Sequence, residues 1–326
     1  MDFDDDGILD LISGSYDPGT FHLFRGLGLG QYAAVETILD KSGKPVLTKP
    51  DQQQTFESFG SWITTVDWDH DGDLDLLLGT YAGEFRVRLN EGTRAQPEYT
   101  TDNLVVACAD QPAKLPKGHA TPVVVDWDGD GLWDILSGCE DGGVYWLRNV
   151  GRPGEPKFAS ITNLVPPHEG IGEDEWLWPG QAPRPGIRSQ IYATDFNLDG
   201  KIDLLLGDFC TNLTVRADLS DAERAAMEAL RTEREEAAAG VRHFMDELRA
   251  SFEAQYPGEA ATSDEASQAW SKAYREMTES QPYLDARSRY DALREKLNAY
   301  FVKPETPGTF NPYAVCHGYV WLFVRK

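Results

Sequence analysis

Long apolar segments and positive charge are both scarce in this sequence. No apolar run approaches the ~20 residues that a membrane-spanning helix needs, so we expect no segment that crosses a bilayer. Lys and Arg number 30 against 54 Asp and Glu, which gives a formal net charge of −24. No basic stripe is present to release counterions from phosphates, and this argues against nucleic acid as a partner.

Residues with catalytic or redox chemistry are equally sparse. The six histidines are scattered, and none has the spacing of a Ser/His/Asp, Cys/His or zinc-ligand set. We therefore expect no enzymatic activity. An even count of four cysteines fits an oxidising compartment only weakly, because four free thiols are unremarkable in 326 residues. The sequence leaves open the disulfide state of Cys108, Cys139, Cys210 and Cys316.

Aspartate at regular spacing is what the sequence has in abundance. Residues 126–134 read Asp-Trp-Asp-Gly-Asp-Gly-Leu-Trp-Asp, with carboxylates at positions 1, 3, 5 and 9 and a glycine at position 6. Glycine suits the tight turn of such a loop because it has no Cβ to clash. Four carboxylates within nine residues repel one another unless a cation lies among them. Hard oxygen ligands at this density favour Ca²⁺ over zinc or copper.

The same nine-residue pattern occurs four times. The copies start at residues 2, 67, 126 and 195, at intervals of 65, 59 and 69 residues, and this period identifies a repeat protein. The sequence predicts up to four Ca²⁺, about one per loop, each structural because protein oxygens leave the ion no open position for a substrate. The predicted side-chain ligands are Asp2, Asp4, Asp6, Asp10, Asp67, Asp69, Asp71, Asp75, Asp126, Asp128, Asp130, Asp134, Asp195, Asn197, Asp199 and Asp203. The predicted carbonyl ligands are those of Ile8, Asp73, Leu132 and Lys201.

Each loop lies beside segments with the character of short strands. Strand-like runs precede three of the loops, at 62–66, 122–125 and 191–194, whereas the first loop has none. After every loop come an unbroken apolar run, a glycine-containing turn and a second strand. Four short antiparallel strands in about 60 residues are typical of one propeller blade. We predict an all-β propeller with about four visible blades, each with its metal loop between the first and second strands.

These residues resemble a known repeat family. The pattern D-x-D-x-D-G-x-x-D-[LI]-[LI]-x-G is similar to the FG-GAP/VCBS repeat of integrin-α-type β-propellers, over residues 1 to about 208 and again at the C-terminus. The resemblance implies calcium-binding loops in a secreted or cell-surface scaffold for a protein or polysaccharide ligand. Asn197 departs from the pattern and lowers the ligand charge of the fourth loop.

The start of the chain bears on its localisation. Met1 comes directly before the first acidic loop, and no signal peptide is visible. We expect that the chain is trimmed or mis-started and that a leader, with or without further repeats, was lost. The expected localisation is extracellular, periplasmic or at the cell surface.

Between Ser220 and about Phe301 the composition shifts to Ala, Glu, Arg and Leu. Ser220 and Glu223 predict a capping box, Pro257-Gly258 ends this helix, a second box lies at 262–265, and a third helix begins near Pro282. We predict a helical hairpin with an added arm at 209–312, between strands of the last blade, with the propeller at 1–208 and 313–326. Such an insertion either braces the rim or serves as a docking arm, and the sequence does not separate these roles.

Two cysteines flank the predicted insertion. We predict that Cys210 and Cys316 sit on neighbouring strands, where a disulfide would clamp the neck of the insertion.

Smaller features favour structural roles. The aromatic residues at position 2 of the loops are expected to pack between blades, and Gly26-x-Gly28-x-Gly30 is expected to form a turn rather than a nucleotide loop. The position-2 residues are Phe3, Trp68, Trp127 and Phe196.

The richest irregular stretch runs from Pro166 to Pro185. It combines carboxylates with tryptophans, as glycan sites do, whether for binding or for acid/base hydrolysis. A solvated loop is the favoured interpretation, but the alternative is a carbohydrate-active enzyme, a polysaccharide lyase or hydrolase, that depends on Glu173 or Glu175. The residues concerned are His168, Glu169, Glu173, Asp174, Glu175, Trp176 and Trp178.

Overall fold

The computed structural model of the protein describes residues 1–16, 19–48, 62–109, 111–167, 184–256, 264–305 and 312–326. The chain divides into two compact units, Met1–Thr211 with Cys316–Lys326, and Asn212–Val315. These divisions fall three residues after the boundaries at 208 and 313 that the sequence suggests. Among the described helices, none has both the length and the apolar composition that crossing a bilayer requires.

The described residues are mostly β-structure. The strands are β1 Leu11–Gly14, β2 Phe21–Phe24, β3 Gly26–Gly28, β4 Gln31–Tyr32, β5 Glu36–Thr37, β6 Trp62–Val66, β7 Asp75–Gly79, β8 Phe85–Arg88, β9 Leu104–Val105, β10 Ala107–Cys108, β11 Gln111–Pro112, β12 Thr121–Val125, β13 Asp134–Gly138, β14 Val144–Leu147, β15 Thr162–Val165, β16 Ile187–Thr194, β17 Asp203–Leu213, β18 Ala314–His317 and β19 Val320–Phe323.

Four small sheets repeat along the chain. The first sheet has the order β1-β2-β5, the second β6-β7-β8-β9 and the third β12-β13-β14-β15. In the fourth sheet β16 pairs with β17, and β17 pairs with both β18 and β19. Two further sheets have two strands each, β3-β4 and β10-β11. The described strands form no closed barrel. An acidic loop joins the first two strands of the second, third and fourth sheets, as predicted.

The four sheets share one register between the strand that follows the acidic loop and a strand paired with it. The last residue of the apolar run is a glycine, and it pairs with the first residue of the next strand of its sheet. The pairs are Gly14 with Phe21, Gly79 with Phe85, Gly138 with Val144, and Gly207 with Val320. Because side chains alternate across a strand, equivalent residues of the four sheets point to equivalent sides.

Apolar cores lie between successive sheets. Leu76 and Leu78 of β7 pack toward the first sheet, while Leu77 between them packs toward the third. A further core joins the third and fourth sheets and includes Leu136 and Leu204. All five residues of β7 and of β13 are buried, so these two apolar runs are strands covered on both faces, as their sequence predicts. The prediction is wrong for β1, where Leu11 is 50% exposed.

Three helices occupy the second unit: α1 Asp221–Gln255, α2 Asp264–Glu279 and α3 Gln281–Asn298. The predicted capping box is present, since Ser220 Oγ accepts the N–H of Glu223 and Glu223 Oε2 accepts the N–H of Ser220 at 2.7 Å. α1 ends before Pro257-Gly258, as predicted, and Pro282 lies in the first turn of α3. The second predicted box depends on Thr262, which lies outside the described residues.

A short apolar seam joins α1 to α3. Tyr290 and Leu293 of α3 pack with Ala237 of α1, and the buried guanidinium of Arg234 donates to Tyr290 Oη at 3.1 Å. Phe252 near the end of α1 meets Trp270 of α2 with ring centroids 5.1 Å apart. Through α1, the three helices therefore form one helical body, as their sequence predicts.

The predicted placement of Cys210 and Cys316 on neighbouring strands is confirmed, but the disulfide that the sequence left open is not formed. Cys210 and Cys316 do lie on the neighbouring strands β17 and β18, but both are free thiols, as are Cys108 and Cys139. Sequence places two cysteines on adjacent strands without specifying the short Cβ separation that a disulfide needs.

Candidate metal centres

The four acidic loops share one backbone path. In each loop the residues at positions 4 and 6 have a positive φ, the conformation that glycine adopts without a Cβ penalty. At position 6 the residues are Gly7, Gly72, Gly131 and Gly200, with φ of 85°, 96°, 88° and 85°. At position 4 they are Asp5, His70, Gly129 and Leu198, with φ of 63°, 63°, 77° and 61°. The glycine at position 6 confirms the prediction, whereas the dissimilar side chains hide position 4 from sequence reasoning.

The carboxylate at position 1 holds this path in place. Its Oδ2 accepts the N–H of the position-6 glycine in every loop, and this bond turns the chain back on itself. The bonds run from Gly7 to Asp2 at 3.1 Å, Gly72 to Asp67 at 3.2 Å, Gly131 to Asp126 at 3.0 Å, and Gly200 to Asp195 at 2.8 Å.

In three loops the folded path gathers three carboxylates. One oxygen from each of positions 1, 3 and 5 lies within 4.8 Å of the others, a spacing at which a single cation can bridge all three. These clusters are Asp2, Asp4 and Asp6; Asp67, Asp69 and Asp71; and Asp126, Asp128 and Asp130.

Each of these three clusters contains a buried oxygen without a hydrogen-bond donor among the described residues. The atoms are Asp4 Oδ1, Asp67 Oδ1 and Asp128 Oδ1. A buried carboxylate oxygen with no donor is costly, and a cation ligated by that oxygen removes the cost. The donor set therefore fits a hard divalent cation in loops one, two and three.

The fourth loop differs in its ligand chemistry. Asn197 replaces the carboxylate at position 3, and its amide donates to Asp199 Oδ2 at 3.1 Å. Two carboxylates, Asp195 and Asp199, remain at positions 1 and 5, and both accept backbone N–H groups of the loop. Its backbone matches the other loops, but its ligand charge is lower.

The carboxylate at position 9 makes two backbone hydrogen bonds in every loop. One oxygen accepts the N–H of position 2, and the other accepts an N–H just beyond the third strand. Asp75, for example, accepts from Trp68 and from Asn90, both at 2.7 Å. The other three pairs of donors are Phe3 and Gly26 to Asp10, Trp127 and Asn149 to Asp134, and Phe196 and Arg325 to Asp203.

This double hydrogen bond ties each loop to its own sheet. Asp75, Asp134 and Asp203 are fully buried, so the four aspartates act as fixed parts of the sheets whether or not an ion is bound. A carboxylate oxygen has a second lone pair after it accepts one N–H. Ligation by position 9, and by the four predicted carbonyls, therefore stays a prediction.

Burial and mutual repulsion raise the pKa of three carboxyl groups in the second loop. Burial raises the pKa of Asp73 to about 6, and the charges of Asp71, Asp69 and Asp67 act in the same direction. Burial also raises the pKa of Asp75 to about 7, with Asp69 and Asp73 adding to the shift. The pKa of Asp69 rises for the same two reasons. A bound divalent cation would reverse the repulsive part of these shifts.

Arginines partly neutralise two of the loops. Arg25 pairs with Asp4 in the first loop, and Arg148 Nε lies 2.6 Å from Asp128 Oδ2 in the third. In the second sheet the position equivalent to these two arginines is occupied by Leu89. The arginines contact Oδ2 and leave Oδ1 of the same carboxylates for another ligand.

Packing of the aromatic residues at position 2 agrees with the prediction in three loops. Phe3 is buried, Trp68 meets Trp133 of the next loop with centroids 5.1 Å apart, and Arg325 lies 4.8 Å over the Trp127 ring. Phe196 of the fourth loop is exposed. Gly26–Gly28 form the short strand β3, and the turn to β4 lies at Leu29 and Gly30, so the turn interpretation of the glycine run is confirmed only at its end.

A titratable cluster that sequence reasoning missed lies at the other end of the strands from the loops. Glu140 pairs with His119 and, at 3.2 Å, with Arg188 Nε. The His119 ring meets the rings of Trp62 and Tyr81 at 5.2 and 4.2 Å. These residues come from three sheets, and no local motif marks them.

The proposed glycan residues at 168–178, including Glu173 and Glu175, lie outside the described residues, so the enzymatic alternative stays a prediction.

Small antiparallel sheets, one register and a shared acidic loop define a class of β-repeat protein. A family model described as FG-GAP-like repeat matches residues 2–78 and 126–206. Each match begins at position 1 of one loop and ends in the strand after the next loop, so it spans one full period. The chain is an FG-GAP repeat protein. No curated protein matches the chain.

Proposed function

We propose that this FG-GAP repeat protein is a calcium-dependent β-propeller-type scaffold that binds a protein or polysaccharide outside the cell. Ca²⁺ has a structural role in it, fastening the acidic loops between the strands of each sheet. The observation that carries the proposal is the repeated carboxylate cluster with one buried, donorless oxygen in loops one to three. The apolar cores between successive sheets support a propeller arrangement of the repeats.

Calcium binding is tested by elemental analysis and chelation. We expect at least three Ca²⁺ per purified chain and a large fall in melting temperature after EDTA treatment, since each site at 100 times its Kd contributes about 2.7 kcal/mol. Adding Ca²⁺ back should restore the melting temperature. Mg²⁺ should restore it less well, because Mg²⁺ demands octahedral geometry. A chain with no bound calcium and an EDTA-insensitive melt would contradict the proposal.

The scaffold role needs a separate test. The full chain, immobilised with Ca²⁺, is exposed to a panel of extracellular-matrix proteins and acidic and neutral polysaccharides. We expect binding to at least one class, lost in EDTA and recovered with Ca²⁺. The absence of binding by a calcium-loaded, folded chain would remove the scaffold role and leave calcium binding intact.

A further inference from the structure

One position beside the acidic loops differs in charge among the four sheets. It is the residue that follows the strand partner of the first apolar residue after the loop. In the third sheet, for example, Arg148 follows Leu147, which is the partner of Ile135. The residues at this position in the four sheets are Arg25, Leu89, Arg148 and Val324. Since arginine stays protonated in proteins, two sheets place a permanent positive charge there and two place an aliphatic side chain.

The carboxylates of the third loop hold Arg148. Its Nε lies 2.6 Å from Asp128 Oδ2, and its Nη2 lies 3.4 Å from Asp130 Oδ2. Both carboxylates belong to the cluster that could hold an ion, and Asp128 Oδ1 is buried without a donor among the described residues. The guanidinium therefore compensates part of the charge of this cluster and leaves one oxygen available to an ion.

Arg25 has the same relationship to the first loop. It pairs with Asp4 Oδ2, while Asp4 Oδ1 is buried without a donor in the described part of the chain. Arg25 Nε also lies 3.2 Å from Glu36 Oε1, so this arginine shares its charge with a carboxylate outside the loop. Its compensation of the first loop should therefore be weaker than that of the third loop by Arg148.

The second loop keeps more negative charge. Leu89 stands where the arginines stand in the first and third sheets, and Asp73 at position 7 adds a carboxylate to the three of the cluster. Asp73 Oδ1 is buried and has no donor among the described residues. The Nδ1 atom of His70 lies 3.9 Å from Asp67 Oδ2, but this ring is exposed and is charged only when protonated.

The fourth loop reaches a low charge by a different route. Asn197 leaves it two carboxylates, and Val324 adds no charge. Three carboxylates and one arginine give −2 in the first and third loops, and two carboxylates give −2 in the fourth. The second loop, with three cluster carboxylates and no arginine, has −3 before Asp73 is counted.

We propose that Arg148 and Arg25 are tethered counter-ions that lower the calcium affinity of their loops, so that the second loop fills at the lowest Ca²⁺ concentration. This order of filling rests on the calcium binding proposed above. The affinity of an oxygen site for Ca²⁺ depends on the charge of its ligands. An arginine beside the cluster reduces that charge and repels the incoming ion. Without calcium the same arginine relieves the repulsion among the carboxylates, so the third loop depends less on the ion than the second does.

Reciprocal exchange of Arg148 and Leu89 tests the proposal. The full chain is stripped of calcium with EDTA, freed of chelator and titrated with Ca²⁺ in a calorimeter. The wild type should show one site about tenfold tighter than the others, and Asp69→Asn should remove it. Arg148→Leu should add a second tight site, which Asp69→Asn does not remove. Leu89→Arg should weaken the tight site by about tenfold.

Controls separate the effect of charge from the effect of shape. Arg148→Lys keeps the positive charge and should keep the wild-type affinities. Leu89 packs against the core, so Leu89→Gln, which adds no charge, is the control for Leu89→Arg and should retain the tight site. Arg152→Leu removes an exposed arginine that pairs with Glu155 instead of a loop carboxylate, and it should change no calcium affinity.

Unfolding in EDTA gives an independent measurement. Arg148→Leu should lower the melting temperature of the calcium-free protein although it raises the calcium affinity. An arginine with only a structural role would lower the melting temperature and leave the affinity unchanged. Should Arg148→Leu fail to fold, Arg25→Leu is a second variant with the same expected pair of effects at the first loop.

The outcomes distinguish this proposal from the calcium role on which it rests. A wild type that binds no calcium would contradict both. A wild type that binds calcium while Arg148→Leu and Leu89→Arg leave every affinity unchanged would overturn the counter-ion role alone. The counter-ion role would also be overturned if Arg148→Lys bound calcium as tightly as Arg148→Leu, or if Asp69→Asn left the tight site of the wild type in place.

Discussion

Asp134 accepts the backbone N–H of Asn149 at 2.6 Å and so joins the start of β13 to the residues just after β14. Its other oxygen accepts the N–H of Trp127 at 3.2 Å. Asp128, six residues earlier in the same loop, has a buried oxygen without a donor. The two aspartates of one loop therefore differ in role: Asp134 stabilises the sheet, and Asp128 is a ligand of the proposed calcium ion.

This difference predicts opposite results for two matched substitutions. Asp134→Asn places an amide NH₂ against a backbone N–H at a fully buried site, and should lower the free energy of unfolding by about 1–3 kcal/mol with or without Ca²⁺. Asp128→Asn should change the EDTA-treated protein little. It should reduce only the stabilisation that Ca²⁺ adds and lower the calcium content by one ion per chain.

Chemical denaturation of both variants, each in EDTA and in Ca²⁺, measures the four free energies of unfolding. Equal losses for both variants in EDTA would show that position 9 has no special structural role.

The fourth loop offers the reverse test. Asn197→Asp supplies the missing carboxylate beside Asp195 and Asp199 on a backbone that already matches the other loops. The variant should bind calcium at this loop about tenfold more tightly, equivalent to ~1.4 kcal/mol. Without calcium it should be less stable than the wild type, because a third negative charge is added. Calorimetric titration checks the affinity, with Asp69→Asn in the second loop as the matched opposite change; unchanged binding by Asn197→Asp would contradict the prediction.

Sequence reasoning reached the local features of this fold and missed the relationships between distant residues. The glycine at position 6 and the strands around each loop follow from steric and periodic patterns within about ten residues. The hydrogen bond from Asn90 to Asp75 spans 15 residues and involves a backbone N–H, which no side chain signals. Similarly, His119 and Glu140 beside strands of the third sheet meet Arg188 only because the fourth sheet brings it there.

The disulfide between Cys210 and Cys316 stayed open at the level of sequence for the same reason. Strand neighbours can be read from the repeat, but whether two thiols face each other depends on side-chain direction.

The thiols give a prediction of their own. Burial raises the pKa of Cys108 to about 11 and those of Cys139 and Cys210 to about 12, whereas Cys316 is exposed. Since the thiolate is the reactive form, brief treatment of the native protein with iodoacetamide should alkylate Cys316 alone. Denatured protein should be alkylated at all four positions. Mass spectrometry of unreduced peptides identifies the alkylated cysteines of the native and of the denatured protein. A peptide that links Cys210 to Cys316 would contradict the free thiols of the structure.

Glu140 makes the stability of the sheet joints depend on pH. Burial alone would raise its pKa, but the hydrogen bond and charge of His119, followed by Arg188, more than offset this and lower it. A carboxyl whose pKa is lower in the folded state than in the unfolded state stabilises the protein at any pH above the unfolded-state pKa, ~4.3 for Glu. This contribution is lost as the pH falls through the folded-state pKa. Glu140→Gln should therefore cost about 1–3 kcal/mol at neutral pH, because the amide carries no charge to pair with Arg188. The difference between wild type and variant should shrink as the pH drops below ~4. Urea unfolding across this pH range measures it, with Glu155→Gln at an exposed pair with Arg152 as the control. A difference that stays constant through this range would show that the lowered pKa of Glu140 does not contribute to stability.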